Sequence, residues 1–357
     1  MNTAIVGLPM VGKTSLFTIL TGAHEAARTG SMATRVGVAK VPDPRLEALA
    51  EAFHAEKVTH AVIEYLDTPA ISKEALRDAG FLGSLRQVDA FAHVLRLFHE
   101  DSIPHEQGSI EPLRDAANIE IELILSDLMV VEKRLERLDK DRKKIKSAEL
   151  DREFEVLERA QAVLGSSRPL REMELSHEEE WRIRGFHFLS QRPVLYVLNL
   201  DESEAPRLHE IEAEWRGGPL GGRAQTAVTA VCGKIEAELA ELSGEEAREY
   251  LASYGLVESG LERLISASYS LLGQMSFLTA SENEVRAWTI PVNSTAVKAA
   301  GTVHTDFEKR FIRAEVANWK VLVESGGYAG AREKGLLRLE GKEYIVKDGD
   351  VLLIRHG

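Results

Sequence analysis

Hydrophobic residues fall in two rhythms along this chain. Short apolar runs end in polar or glycine-bearing turns, and between them apolar side chains recur every three or four positions. Thr3–Val6, Val36–Val41, His60–Leu66, Val88–Phe98, Pro193–Leu198 and Ala224–Val231 read as strands. Helical spacing follows at Leu16, Phe17, Ile19 and Leu20, and again over Arg45–Phe53, behind the stop Pro42-Asp43-Pro44. Polar residues cluster at the carboxyl ends of these strands: Asp67, then Asn199-Leu200-Asp201-Glu202, then Cys232-Gly233-Lys234. Strands that alternate with helices in this way predict an α/β fold with a doubly wound parallel sheet and a ligand along that edge.

Between the strands near residues 98 and 193 the rhythm is helical throughout. Ile121, Leu125, Leu128, Val131, Leu135 and Leu138 step by threes and fours, as do Leu150, Phe154, Leu157, Ala160 and Leu164. Two helices joined near Ser147 predict an antiparallel coiled hairpin inserted into the sheet domain. From Gly273 the pattern changes again. Glu284–Ile290 reads as a strand, His304–Phe307 opens a helix with Thr305 or Asp306 as N-cap, and Lys342–Ile354 reads as two short strands about Asp348-Gly349. The expected organisation is residues 1–112 and 191–273 as two parts of one α/β domain, 113–190 as the helical insertion, and 274–357 as a small α+β domain.

Composition bounds the function. At 357 residues, 44% hydrophobic and 28% charged, the chain reads as an ordinary globular protein of two or three domains. A net charge of -13 argues against a surface that coats nucleic acid, yet Lys133–Lys146 carries eight basic side chains against three acids. That stretch reads equally as an RNA-facing arm or as the solvated face of a coiled helix. The one cysteine, Cys232, forms no internal disulfide, which suits a reducing cytoplasm. The first strand begins too near Met1 for a signal peptide, and no apolar run approaches the ~20 residues of a membrane helix.

The strongest chemical signal is Gly7-Leu8-Pro9-Met10-Val11-Gly12-Lys13-Thr14-Ser15, lying between the first strand and the first helix. The spacing G-x-x-x-x-G-K-[ST] is met in full and in the strand-loop-helix context that gives it meaning. Gly7 and Gly12 let backbone N–H groups approach a polyphosphate, and the helix directs its positive end at the same place. Lys13 reaches the β- and γ-phosphates, and the Thr14 hydroxyl is a ligand for Mg2+. Ser31 and Thr34 lie in a small-residue connection that reads either as a switch loop offering a hydroxyl to the metal or as a plain surface loop. Asp67, at a buried strand's carboxyl end, is where a P-loop enzyme holds its metal. Ala70 stands where GTPases carry the D-x-x-G glycine, and Ile71 stands where many carry the glutamine that orients water. In the base-reading motif N-K-x-D, the aspartate accepts two hydrogen bonds from guanine. Here Leu200 replaces the lysine and Glu202 the aspartate, which relaxes the penalty against adenine.

With these residues laid out, the chain resembles the YchF family of Obg-related P-loop NTPases over nearly its full length. The most specific stretches are VGKT, VPDPRL at 41–46, KIEAELAEL at 234–242, EVRAWTIP at 284–291, AAGTVHTDFEKRFIRAEV at 299–316 and EGKEYIVKDGDV at 340–351. The resemblance implies a central NTPase domain, a coiled helical insertion and a carboxyl-terminal TGS domain of β-grasp fold. It further implies a cytoplasmic ATPase, also able to use GTP, that binds ribosomes at the large subunit and acts in translation or stress control, with RNA contacts through the basic hairpin and TGS domain and none with membranes.

Carried over residue by residue, the resemblance implies phosphate and metal roles for Lys13 and Thr14, with Gly7, Met10, Val11, Gly12 and Ser15 completing the loop. It places Ser31 at the switch threonine, beside Thr14 and Asp67 as the third Mg2+ residue. It matches His105 to a histidine that assists hydrolysis, and Asn199, Leu200, Glu202, Cys232 and Gly233 to the base site. Two departures stand out. Met10 occupies a position where the family carries an asparagine associated with K+, and a thioether is a poor K+ ligand. The glycine-rich stretch after D-x-x-G is replaced by a shorter segment, Ala70–Gln87. A slow NTPase switch is the leading expectation. A nucleotide-dependent ribosome- or RNA-binding protein that has lost hydrolysis is the alternative, and a metabolite kinase finds no arginine-rich lid to support it.

Overall fold

The computed structural model describes residues 1–22, 34–72 and 74–357. The strands are β1 (Asn2–Val6), β2 (Arg35–Lys40), β3 (Val58–Thr59), β4 (Val62–Asp67), β5 (Ala90–Arg96), β6 (Val194–Asn199), β7 (Thr226–Val231), β8 (Gln274–Ala280), β9 (Val285–Pro291), β10 (Phe311–Asn318), β11 (Arg338–Glu340) and β12 (Asp350–His356). Five helices matter most below: α1 (Lys13–Thr21), α2 (Pro44–Phe53), α3 (Ala79–Arg86), α4 (Pro112–Lys144) and α5 (Ala148–Gly165). The chain forms two compact units, Met1–Ala39 with Glu64–Leu271, and Lys40–Ile63 with Leu272–Gly357.

The first unit is built on a sheet of order β2-β4-β1-β5-β6-β7. β1 pairs in parallel with β4 and β5, β5 with β6, and β6 with β7. Every residue of β5 and β6 is buried, which is why these strands read as mainly apolar rather than alternating, with His93, Arg96 and Asn199 as buried polar exceptions. β1, at the centre, delivers its carboxyl end directly into the glycine loop, so the loop sits at the edge where doubly wound sheets bind ligands.

α4 and α5 form the expected hairpin, turning at Ser147. Its seam is Ile124, Val131 and Leu138, one heptad apart, packed on Val156, Leu157, Ala160 and Leu164. Ile121 and Leu125, expected in that seam, are instead 43% and 45% exposed. At roughly 100° per residue, Ile121 is offset by about 60° and Leu125 by about 100° from the line through Ile124, which the step-by-three-and-four pattern does not distinguish. Part of the hairpin's basic stretch is used internally: Arg134 pairs with Glu153 at 2.7 Å, Arg142 with Asp151 at 2.6 Å, and Lys143 with Asp139 at 2.6 Å.

The second unit carries a sheet of order β11-β10-β12-β8-β9-β3. β12 and β8 run parallel, β3 runs parallel on β9, and β8/β9, β10/β11 and β10/β12 are antiparallel. Ala296, Ala299 and Ala300 lay a helix closely on Phe277, Ile290, Val316 and Leu352. Small side chains permit that close approach.

Three details differ from expectation. The segment Lys40–Ile63 groups with the carboxyl-terminal unit rather than with residues 1–112. Asp43 caps α2 by accepting from Arg45 N–H at 3.1 Å, and the Arg45 guanidinium bridges Asp43 (2.7 and 2.8 Å) to Asp348 (2.7 Å). VPDPRL is thus a cap and clamp on the turn before β12. The N-cap at 304–305 is His304, whose Nδ1 accepts from Asp306 N–H at 3.2 Å, one residue before the expected site. Of the two strands expected in Lys342–Ile354, only β12 forms, and Ile345 makes an isolated bridge to Thr295.

Glu236, beside the first unit's ligand edge, yields a stability prediction. It is 3% exposed, accepts from Gly260 N–H at 2.7 Å, and burial raises its carboxyl to about 7. A carboxyl raised on folding contributes most below its unfolded value and loses that contribution as pH climbs through about 7. Glu236→Gln keeps an acceptor and removes the buried charge. Denaturation midpoints at pH 5.5 and 8.5 are expected to converge in this variant, with a gain on the order of 1–3 kcal/mol at the higher pH; a profile as steep as the parent's would refute the assignment.

Candidate nucleotide site

β1 ends at Val6 and the chain turns at once. Gly7 has φ 152°, and a Cβ there would lie 2.7 Å from the Val94 carbonyl of the neighbouring strand. Gly12 has φ 99°, and a Cβ there would lie 2.5 Å from Asn199 Nδ2. Both positions therefore require glycine on conformation and on space. Gly12 is also the N-cap of α1 and has no side chain to cap it, so first-turn N–H groups, which have no intrahelical acceptor in any helix, present a site for an anion. Between the glycines Met10 holds φ 59°, a strained value for a side-chain-bearing residue, with its thioether exposed.

Lys13 is 8% exposed and folds back over the loop, donating to Gly7 O at 3.0 Å and Leu8 O at 2.6 Å. Burial depresses its ammonium to about 8, against the opposing fields of Asp67 and Glu106. Thr14 Oγ1 donates to Asp67 Oδ2 at 3.2 Å, and Asp67 is buried at the end of β4. The Arg35 guanidinium forms an ion pair with the same carboxylate. One hydroxyl and one carboxylate suit Mg2+, which takes few protein oxygens and completes its shell with phosphates and water. Among the described residues no group of three or more His, Cys, Asp or Glu converges as a metal cage, consistent with that kind of site. Ser31, the third expected ligand, lies outside the described residues.

A cavity of about 640 Å³ extends from the loop, lined by Met10, Gly12, Ser15, Leu200, Glu202 and Gly233 among others. Asn199 staples its two walls: Nδ2 donates to Val11 O at 3.0 Å and Oδ1 accepts from Gly233 N–H at 3.0 Å. Its polar atoms thus position the loop. The Cys232 thiol, raised to about 12 by burial, donates to Asp201 O at 3.0 Å, while Leu200 is buried. Glu202 is engaged by Lys234 Nζ at 2.5 Å and by the Tyr254 hydroxyl at 2.7 Å, contacts that hold its carboxyl below the ordinary range.

His105 lies in the loop after β5. Its Nδ1 accepts from Gln107 N–H at 3.1 Å, and its Nε2 faces Asp115 Oδ2 at 3.1 Å, with both side chains largely buried. Arg114 donates to the other oxygen of Asp115 at 2.8 Å. Ile71 is buried, 4% exposed. Sequence reasoning missed Arg35, Asp115 and Tyr254, which lie in no motif. For Tyr254 a faint signal exists in Tyr250, four residues earlier, whose ring packs on it with centroids 5.3 Å apart.

Strand, glycine loop and helix, with Lys13, Thr14 and Asp67 converging at the edge of a parallel sheet, define a P-loop NTPase fold. The family YchF-GTPase_C, described as a protein of unknown function (DUF933), matches residues 274–357. The "Ribosome-binding ATPase YchF" of Bacillus subtilis (strain 168) is 42% identical over 99% of both chains, and that of Escherichia coli O157:H7 is 39% identical over 98% of this chain and 97% of its own. The solved Schizosaccharomyces pombe YchF GTPase superposes with a TM-score of 0.84 at 28% identity, covering 99% of this chain and 97% of that one. This chain belongs to the YchF family.

Proposed function

We propose that this protein is a slow, Mg2+-dependent nucleoside triphosphatase that favours ATP, also accepts GTP, and works in the cytoplasm on the large ribosomal subunit as a translation or stress-response switch. The observation that carries this reading is the buried Lys13 ammonium, held over an uncapped helix start beside Thr14 and Asp67. Carbonyl oxygens of Gly7 and Leu8 occupy its donors, and phosphate oxygens would take them over. Thr14, Asp67 and Ser31 would hold Mg2+, which neutralises charge on the β- and γ-phosphates. Glu202 shares its oxygens with Lys234 and Tyr254, so guanine's paired donors find no open bidentate acceptor, which supports loss of guanine selectivity. The relatives' name supports the ribosome as partner. The basic hairpin and the TGS domain are the surfaces we assign to RNA.

Water activation is the weak step. Ile71 offers no polar atom, and His105 is engaged by Gln107 and Asp115. That engagement of His105 favours a second reading: a nucleotide-dependent ribosome-binding protein with little hydrolysis of its own. Phosphate release from ATP and GTP, with and without ribosomes, separates the two. Turnover that rises with ribosomes, and falls on the order of 100-fold in His105→Ala with ATP binding retained, is expected. Tight ATP binding without release under either condition would overturn the enzyme reading, and full turnover in His105→Ala would remove that residue from the mechanism.

A further inference from the structure

The metal-binding carboxylate already has a cation. Arg35, the first residue of β2, pairs with Asp67 Oδ2, the atom that also accepts from Thr14, and its guanidinium lies 5.0 Å above the Phe17 ring of α1. The side chain is about one-quarter exposed and Asp67 about one-tenth, so the pair is partly withdrawn from water and less screened than a surface pair. The guanidinium thus rests on an aromatic ring and pairs with a carboxylate. We propose that Arg35 is an affinity-setting residue of the metal site: its guanidinium competes with divalent cation for Asp67 and, where metal is lacking, neutralises that carboxylate beside the incoming phosphates. The inference rests on the nucleotide-binding reading above.

The competition has two consequences of opposite sign. With Arg35 on Asp67, a divalent cation has to displace a bound charge, which weakens its affinity. Without Arg35 an unpaired Asp67 repels phosphate oxygens, so metal-free nucleotide binds more weakly. A residue that merely supports the fold would move both affinities the same way or neither.

The test uses the full chain. A fluorescent ATP analogue is titrated in EDTA, and Mn2+ binding to the ADP-loaded protein is followed by loss of the free-Mn2+ EPR signal. In Arg35→Ala, Mn2+ is expected to bind about five- to tenfold tighter and the analogue in EDTA to bind weaker by a similar factor. Arg35→Gln keeps a polar side chain of intermediate length and removes the charge. It should show the same two shifts, and it decides the matter if the alanine variant does not fold. Arg35→Lys should bring metal-free binding back towards the parent value. Unchanged or weaker Mn2+ binding in Arg35→Gln overturns the proposal. If the parent chain binds no nucleotide in either buffer, the nucleotide-binding reading itself fails, and the inference with it.

Discussion

Replacing Lys13 by alanine is expected to lower ATP turnover by at least about a hundredfold, the scale set by losing one directed donor to developing charge in a site shielded from water. Nucleotide binding should weaken in the same variant, since on the proposed reading the ammonium would contact the phosphates in the ground state as well as during transfer. Stability should not fall with it. Burial depresses the ammonium from its ordinary 10.5 to about 8. Folding therefore disfavours the charged form, and the parent should gain stability as pH rises from about 8 towards 10.5. Alanine removes this buried charge, so its thermal midpoint at pH 7 should equal or exceed the parent's, a trade of stability for function. The same shift gives a pH dependence to binding. Phosphates raise the lysine in the complex, so affinity is full below about 8 and declines as pH climbs above it. Phosphate release, analogue titration from pH 7 to 9.5 and thermal melts test the three parts. Undiminished turnover in Lys13→Ala would overturn the assignment of the loop.

What the sequence made legible were features whose physics is local. The glycine loop could be read because Gly7 and Gly12 answer to backbone conformation and near contacts, and because strand and helix must flank it. The buried strands β5 and β6 could be read from apolar runs alone. What could not be read depends on residues far apart in the chain. Arg35 and Asp67 are 32 residues apart, and neither periodicity nor composition marks an arginine as resting on that carboxylate. His105 has no local pattern. Its partner Asp115 sits in the first turn of α4, where an acid is expected for the helix dipole and so carries no further signal. VPDPRL could be read as a stop and a helix start, but its place in the carboxyl-terminal unit depends on Arg45 reaching Asp348, 303 residues on. The heptad line of the hairpin was misjudged at Ile121 and Leu125 because apolar spacing marks a face and does not say how much of that face is covered.

Asp127 carries this point furthest, and it carries the largest expected effect on stability. It sits on α4 between the seam residues Ile124 and Val131. In the structure it is fully buried and accepts three hydrogen bonds, from Leu189 N–H at 3.0 Å, Ser190 N–H at 2.7 Å and Ser190 Oγ at 2.7 Å. Arg86 of α3 approaches it at 3.6 Å. One carboxylate thus ties the long helix to the segment that leads into β6 and lies beside the helix following Ala70. Burial raises it to about 6, with the donors and Arg86 opposing, so it is mostly ionised at neutral pH. Asp127→Ala would leave two backbone N–H groups and the Ser190 hydroxyl without their acceptor in the interior, and Arg86 without its counter-charge, an expected loss of about 3–5 kcal/mol. Asp127→Asn should also destabilise, because an amide nitrogen replaces one acceptor and faces a donor. Chemical denaturation of both variants, read alongside ATP binding on the folded fraction, checks the assignment. A loss below about 1 kcal/mol in Asp127→Ala would mean that water enters and satisfies the same groups, and the helix would then be held by its apolar seam alone.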